Sequence, residues 1–203
     1  MMTTEHFTLE TARSATVAEA NGRSALFMGS VSSAVVALAF IGQVSDMGEA
    51  FFLFGLVLFP SLFFLGIVTF DRVLQTALED WIYGCEINRI RHYYAELAPD
   101  IKRYFIQSIH DDRPGPLQSV GIVPAKWQFF LTGSGMVAVI NSVLAGVFAG
   151  MLSRFAFSLS IYAGAGLGIT VFAVSVVVHH RHQVNKFADV GSRMKTLFPS
   201  DSK

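Results

Sequence analysis

The chain has little charge, one cysteine and no recognisable catalytic motif. Cys85 is the only cysteine in 203 residues, so an internal disulfide framework is excluded. Charged residues make up 15% of the chain, against roughly 25% in soluble domains. Lys plus Arg number 15 and Asp plus Glu number 15, so no net basic field recruits nucleic acid. The beginning lacks the short basic region and immediate apolar core of a secretory signal. Mostly polar residues come first, with Glu5, Glu10 and Glu19 among them, so the first apolar block is expected to be retained. There is no Gly-rich phosphate loop, Gly-x-Ser-x-Gly, Cys-x-x-Cys or His-Glu-x-x-His. Nothing here argues for an enzyme, and no cofactor is expected.

What is present is apolar and arranged in blocks. Hydrophobic residues make up 52% of the chain. Four blocks, near 24–44, 50–70, 129–151 and 155–178, each reach the length of about 20 residues that a membrane helix needs. The expected fold is an all-α membrane protein of four transmembrane helices, with a cytoplasmic helical extension between spans two and three. Its parts are an N-terminal segment (1–23), a first hairpin (24–70), a helical region (71–126), a second hairpin (127–178) and a tail (179–203). Residues 1–23 read as an amphipathic helix on the membrane surface or as a partly ordered tail. Lys126 and Trp127 mark an interface before span three, and Ser153-Arg154 reads as the turn before span four. Placing both termini and the middle region on one side puts fourteen Lys and Arg there, against Arg154 alone on the other. That bias makes the richer side cytoplasmic, in a cell or inner membrane. Cys85 is then expected to be a free thiol.

No Asp, Glu, Lys, Arg or His lies well inside a span, which weighs against proton-coupled transport. In span one, Ala25, Gly29, Ser33 and Ala37 form a stripe of small side chains. Gly146 with Gly150, and Gly164 with Gly168, form Gly-x-x-x-Gly pairs in spans three and four. Such stripes let helix backbones approach in lipid, either within a hairpin or between subunits. Asn141, with Ser142 beside it, is the strongest polar group at depth and can bond across helices or line a pore. Ser33 is open to the same two readings. Pro60 removes a hydrogen bond from span two, and a kink is expected there. His179, His180 and His182 cluster where span four ends. They are candidate metal ligands, but adjacent His179 and His180 diverge on a helix, so an interfacial cationic cluster with Arg181 fits better.

From Asp71 the helical pattern continues without a break to Leu97. Val73, Leu74, Ala77, Leu78, Trp81, Ile82 and Cys85 share one face. After Gly84 the stripe changes sides, to Ile87, Ile90, Tyr94 and Leu97. The helix is expected to bend at Gly84 or to bury its halves against different neighbours, the first on the chain's own ends and the second on another subunit. Trp81, Ile87, Ile90 and Tyr94 are thus subunit-contact candidates. Asp100 is expected to cap a short helix over 101–109, with Lys102 and Arg103 near anionic headgroups.

The segments Asn21-Gly22-Arg23-Ser24-Ala25 and Ile87-Asn88-Arg89-Ile90-Arg91-His92-Tyr93-Tyr94 resemble parts of a family of small bacterial membrane proteins without an assigned activity. The resemblance implies the four-span outline and no site residues. In outline the chain is also similar to small membrane effectors of bacterial nucleotide-signalling or defence systems, in which a cytoplasmic helical part controls a membrane part. Two functions are therefore expected to compete. One is a homo-oligomeric channel or pore-like protein. The other is a membrane-anchored scaffold or effector that binds a cytoplasmic protein or small-molecule ligand through 71–126. A metal-dependent membrane enzyme is a third.

Overall fold

A computed structural model describes residues 2–119, 121 and 128–200. The described residues are helical, with no strand among them. The order is α1 (Met2–Val44), α2 (Glu49–Leu97), a 3-10 turn (Pro99–Tyr104), α3 (Pro114–Ser119), α4 (Gln128–Leu131), α5 (Gly133–Phe157) and α6 (Ile161–Arg193). Helices α1, α2, α5 and α6 are long and apolar enough to cross a membrane. Lys126 and Trp127 lie outside the described residues.

The chain divides into two compact units. One comprises Met1–Ala20, Leu74–Gln128 and Val184–Lys203; the other comprises Asn21–Val73 and Phe129–Gln183. The second unit holds the apolar stretches. Helix α5 is its centre, with 44% of its apolar stretch buried against 6% for α6. Val137, Ala138, Asn141 and Ser142 on α5 are fully enclosed, and Phe27 of α1 is 1% exposed. Between α1 and α2, Asp46 and Met47 take left-handed φ values of 49° and 55°, which turns the chain in four residues. Pro60 sits inside α2, which continues through it.

The second hairpin turns later than its sequence suggests. Helix α5 runs through Ser153 and Arg154 and ends at Phe157, with Ser158 left-handed as its cap (φ 53°, ψ 29°). Ser153 is buried and bonds back to the Gly150 carbonyl at 2.8 Å, so it extends the helix. The Ser160 hydroxyl accepts from the Ala163 amide at 3.3 Å, the N-cap chemistry that starts α6. At the other end of α5 the Thr132 hydroxyl accepts from Gly135 N at 3.0 Å. A Cβ at Gly135 would stand 1.7 Å from the Phe129 carbonyl oxygen, so only glycine lets α4 fold back there.

The first unit lies outside the apolar stretches. Residues 2–20 are an ordered part of α1 and pack against α2. Leu9 joins Ile87 and Ile90, with Met2, Tyr83 and Tyr94 around them. Arg13 Nε meets Asp80 Oδ1 at 2.7 Å and Arg13 Nη2 reaches Oδ2 at 3.4 Å. This fork raises the Arg13 pKa above its usual value. Arg91 lies 3.7 Å from Glu10, and burial draws its pKa down.

The two faces of α2 around Gly84 are both buried, and the helix is unbroken there. Leu78, Trp81 and Cys85 pack on Phe187, Val190 and Met194 at the end of α6. The opposite face, Ile87 and Ile90, packs on the start of α1. Gly84 has a packing role, because a Cβ there would lie 3.0 Å from Pro116 Cβ. The helix expected over 101–109 is replaced by the 3-10 turn at Pro99–Tyr104, which begins at Ala98 without a side-chain cap and ends in extended backbone at Phe105. Proline at the first position starts the turn, so Asp100 lies inside it and caps nothing. Ile101 is exposed while Ile109 is buried, so the two do not share a face.

Candidate functional site

The polar residues of the second unit converge along the α5–α6 contact. The Ser142 hydroxyl lies 2.7 Å from the Ala138 carbonyl and 2.9 Å from Ser175 Oγ. Ser175 Oγ is 3.4 Å from His179 Nδ1, which also lies 2.8 Å from the Ser175 carbonyl. The shorter contact assigns the Nδ1 proton to the carbonyl one turn earlier. Nearer the start of α5, Ser134 Oγ donates to Gln183 Oε1 at 3.2 Å, and Thr132 Oγ1 is 3.3 Å from Ser134. These bonds satisfy hydroxyls that would otherwise be stranded in an apolar layer. They join two helices and leave Ser142 with no exposed surface.

Asn141 is different. Its side chain has no exposed surface, and neither Nδ2 nor Oδ1 has a hydrogen-bond partner. It presses on Gly66 of α2. A Cβ at Gly66 would stand 2.1 Å from Asn141 Oδ1, 2.5 Å from its Cγ and 3.1 Å from Phe27 Cε2. Gly66 is therefore the notch that admits the amide. Leaving such a group unbonded costs about 1–3 kcal/mol. The amide is sealed inside one chain and does not line an open path through it.

The glycine pairs of α5 and α6 meet each other. A Cβ at Gly146 would be 2.7 Å from the Gly168 carbonyl oxygen, and one at Gly168 would be 2.8 Å from that of Gly146. Gly150 and Gly164 face each other in the same way, at 3.2 and 3.3 Å. The backbones touch, and the apolar side chains on either side leave a groove of about 600 Å³. The small stripe of α1 has no such use within the chain. Ala25, Gly29 and Ser33 are exposed, Ala37 is half-buried, and nothing lies within 4 Å of the Cβ position at Gly29. The inward residues in the apolar part of that helix include Ser24, Phe27 and Ala34.

The three histidines at the end of span four do not converge. His179 is buried and meets the edge of Phe70 at 4.8 Å between ring centres; His180 meets Phe129 at 4.7 Å; His182 lies 3.4 Å from Asp71. No group of three metal-capable side chains forms among the described residues. Trp81, Ile87 and Ile90 are buried by the chain's own α1 and α6, and Tyr94 is half-buried beside them. Their apolar faces are thus already occupied and give no reason to require a second subunit. Cys85 is fully buried, and burial pushes its thiol up to about 12.

The first unit also contains a clamp that sequence reasoning missed. The Asp111 carboxylate has no exposed surface. It accepts from Leu197 N at 3.0 Å, Phe198 N at 2.8 Å and Arg89 Nε at 2.6 Å. Burial alone would raise the Asp111 pKa, but these donors outweigh it and hold the pKa below the usual carboxylate value. Arg89 also bonds the Lys195 carbonyl, Asp112 takes Ser200 N at 2.7 Å, and Phe198 stacks on His92 at 3.7 Å. Residues 195–200, after α6, are therefore held against the clamp. The only sequence signal for it was the acidic pair before Arg113-Pro114, and its partners in the tail are 86 to 88 residues away. Comparison with protein-family models, with curated proteins and with solved structures finds no match to this chain.

Proposed function

We propose that the protein is a homo-oligomeric integral membrane protein of the channel- or pore-like class. Its conduction path runs between copies, and its water-facing helical unit serves as an assembly or regulatory layer on the cytoplasmic side. The observation that carries this reading is the unused small-residue stripe Ala25, Gly29 and Ser33, exposed on an apolar helix with open space at Gly29. In lipid, where packing drives helix association, a second helix fits such a stripe closely. The stripes of α5 and α6, by contrast, are filled within the chain. A path between copies is also supported by the sealed state of Asn141 and Ser142, which leaves no opening beside the polar groups of one copy. Outside the spans, the apolar side chains of Leu97, Tyr104 and Ile106 are exposed and available for protein contact.

The test is the particle mass in mild detergent together with ion flux from liposomes. The expected result is a multimer that conducts, with Gly29→Leu giving smaller particles and no flux. A wild-type protein that is monomeric and carries no ions overturns the reading. The competing reading is a membrane-anchored effector or scaffold. It is favoured by the coverage of both α2 faces within one chain, which makes the helical unit a self-contained module. A stoichiometric partner lost on Ile106→Asp, with particle mass unchanged, selects it.

A further inference from the structure

The groove between α5 and α6 has a shape and a charge that one kind of occupant satisfies. Its walls are apolar, formed by Phe52, Val143, Val147, Ile161, Ile169 and Phe172, and its volume is about 600 Å³, inside the range of roughly 300–1,000 Å³ typical of ligand sites. It exists because the helices cross on glycine, so no side chain fills the space beside the crossing. Along α5 it runs from Val143 to Arg154. Those eleven steps rise about 16 Å at 1.5 Å per residue. Half of a bilayer's hydrocarbon core, which is about 30 Å thick, is about 15 Å. The groove is thus one leaflet long and ends at a guanidinium.

Arg154 is exposed, and it donates from Nη1 to the Leu159 carbonyl at 2.9 Å, a bond that holds the head at the groove's end. Guanidinium has five N–H donors in a fork that matches phosphate oxygens, so donors remain for an oxyanion. We propose that this groove binds a phospholipid with an anionic headgroup, one acyl chain lying along the glycine crossing and the phosphate meeting Arg154. The site rests on the reading that these helices cross a membrane. Its charge complementarity comes from Arg154 alone, since the other fourteen Lys and Arg lie in the segments assigned to the opposite side.

The experiment is native mass spectrometry of the full chain, purified in mild detergent and offered dioleoyl phosphatidylglycerol or dioleoyl phosphatidylcholine. The expected result is retention of one phosphatidylglycerol per chain in preference to phosphatidylcholine. Arg154→Ala lowers phosphatidylglycerol retention about fivefold, the worth of one cation near an anionic headgroup. Ala165→Phe, at an exposed groove position away from the glycine contacts, lowers retention of both lipids. Arg181→Ala, an exposed cation outside the groove, changes neither. Equal retention by wild type and the two groove variants overturns the proposal, as does an equal loss with Arg181→Ala. A change in particle mass with Ala165→Phe and no change in lipid retention also overturns it, by assigning the groove to a second copy. Alkaline carbonate washing separates the two readings. A chain released from membranes refutes the membrane reading itself, whereas a chain that stays embedded without groove-dependent retention refutes only the lipid site.

Discussion

Gly66→Ala is the sharpest test of the buried packing. The new methyl would stand 2.1 Å from Asn141 Oδ1 and 2.5 Å from Asn141 Cγ, with Phe27 at 3.1 Å. Ordinary contact is beyond 3.4 Å, so the amide must withdraw by more than 1 Å, and Asn141 has no exposed surface through which to move. Overpacking of this kind costs about 1–3 kcal/mol. For a chain of this size, 1 kcal/mol corresponds to roughly 2–4 °C, so the apparent Tm should fall by roughly 2–12 °C. The assay is the loss of helical circular dichroism on heating in detergent at a fixed scan rate. Asn141→Ala alone should cost little, because the cavity it leaves is offset by removal of an unpartnered amide. In that background the methyl at position 66 enters the vacated space, and the Gly66→Ala penalty should disappear. The double-mutant cycle then shows a coupling of about 1–3 kcal/mol. A Gly66→Ala protein that melts with wild type, or a penalty equally large in both backgrounds, would refute the contact.

The remaining expectations concern the hairpin and the first unit. Gly146→Leu should destabilise the protein by at least about 1–3 kcal/mol, read as a lower Tm, because the atom it meets is the Gly168 carbonyl and backbone cannot step aside. Asp111→Asn should free the tail, seen as faster tryptic cleavage after Lys195, while helix content by circular dichroism is unchanged. The pH response follows from the depressed Asp111 pKa. Protection of the tail is fully present above the ordinary carboxyl value of 3.8 and is lost as pH falls below it through the folded value; loss already at pH 6 would refute the assignment. Cys85 should resist maleimide at pH 7.5 until detergent denaturation. Its raised pKa means that its contribution to stability is intact below pH 9.0 and declines as pH rises towards about 12. Arg13→Ala should cost about 1 kcal/mol, measured as a Tm shift, through loss of the fork to Asp80.

The four apolar helices were legible in the sequence because length and unbroken hydropathy are local properties of the chain. So was the long continuation of α2 through Arg72 to Leu97, since nothing in that stretch stops a helix. The change of apolar face at Gly84 was legible too, as a matter of angular spacing. That the first face meets one of the chain's own ends was expected, and α6 supplies it; that α1 covers the second face was not, because Leu9 is far from Ile87 in the chain and any apolar surface can bury any other. Only the tertiary structure showed which end covers which face, and that no second subunit is needed for either. The hairpin turn moved from Ser153-Arg154 to 158–160 for a similar reason. A buried Ser153 can bond its own helix at Gly150, whereas Ser160 has an amide to cap, and sequence alone does not distinguish two serines near a turn. Composition identified Asn141 as the outlier in span three, but it could not reveal that Gly66 receives it or that its amide goes unbonded. Hydropathy is additive along a chain and can be read from it; steric fit and hydrogen-bond satisfaction are pairwise properties of residues brought together by folding.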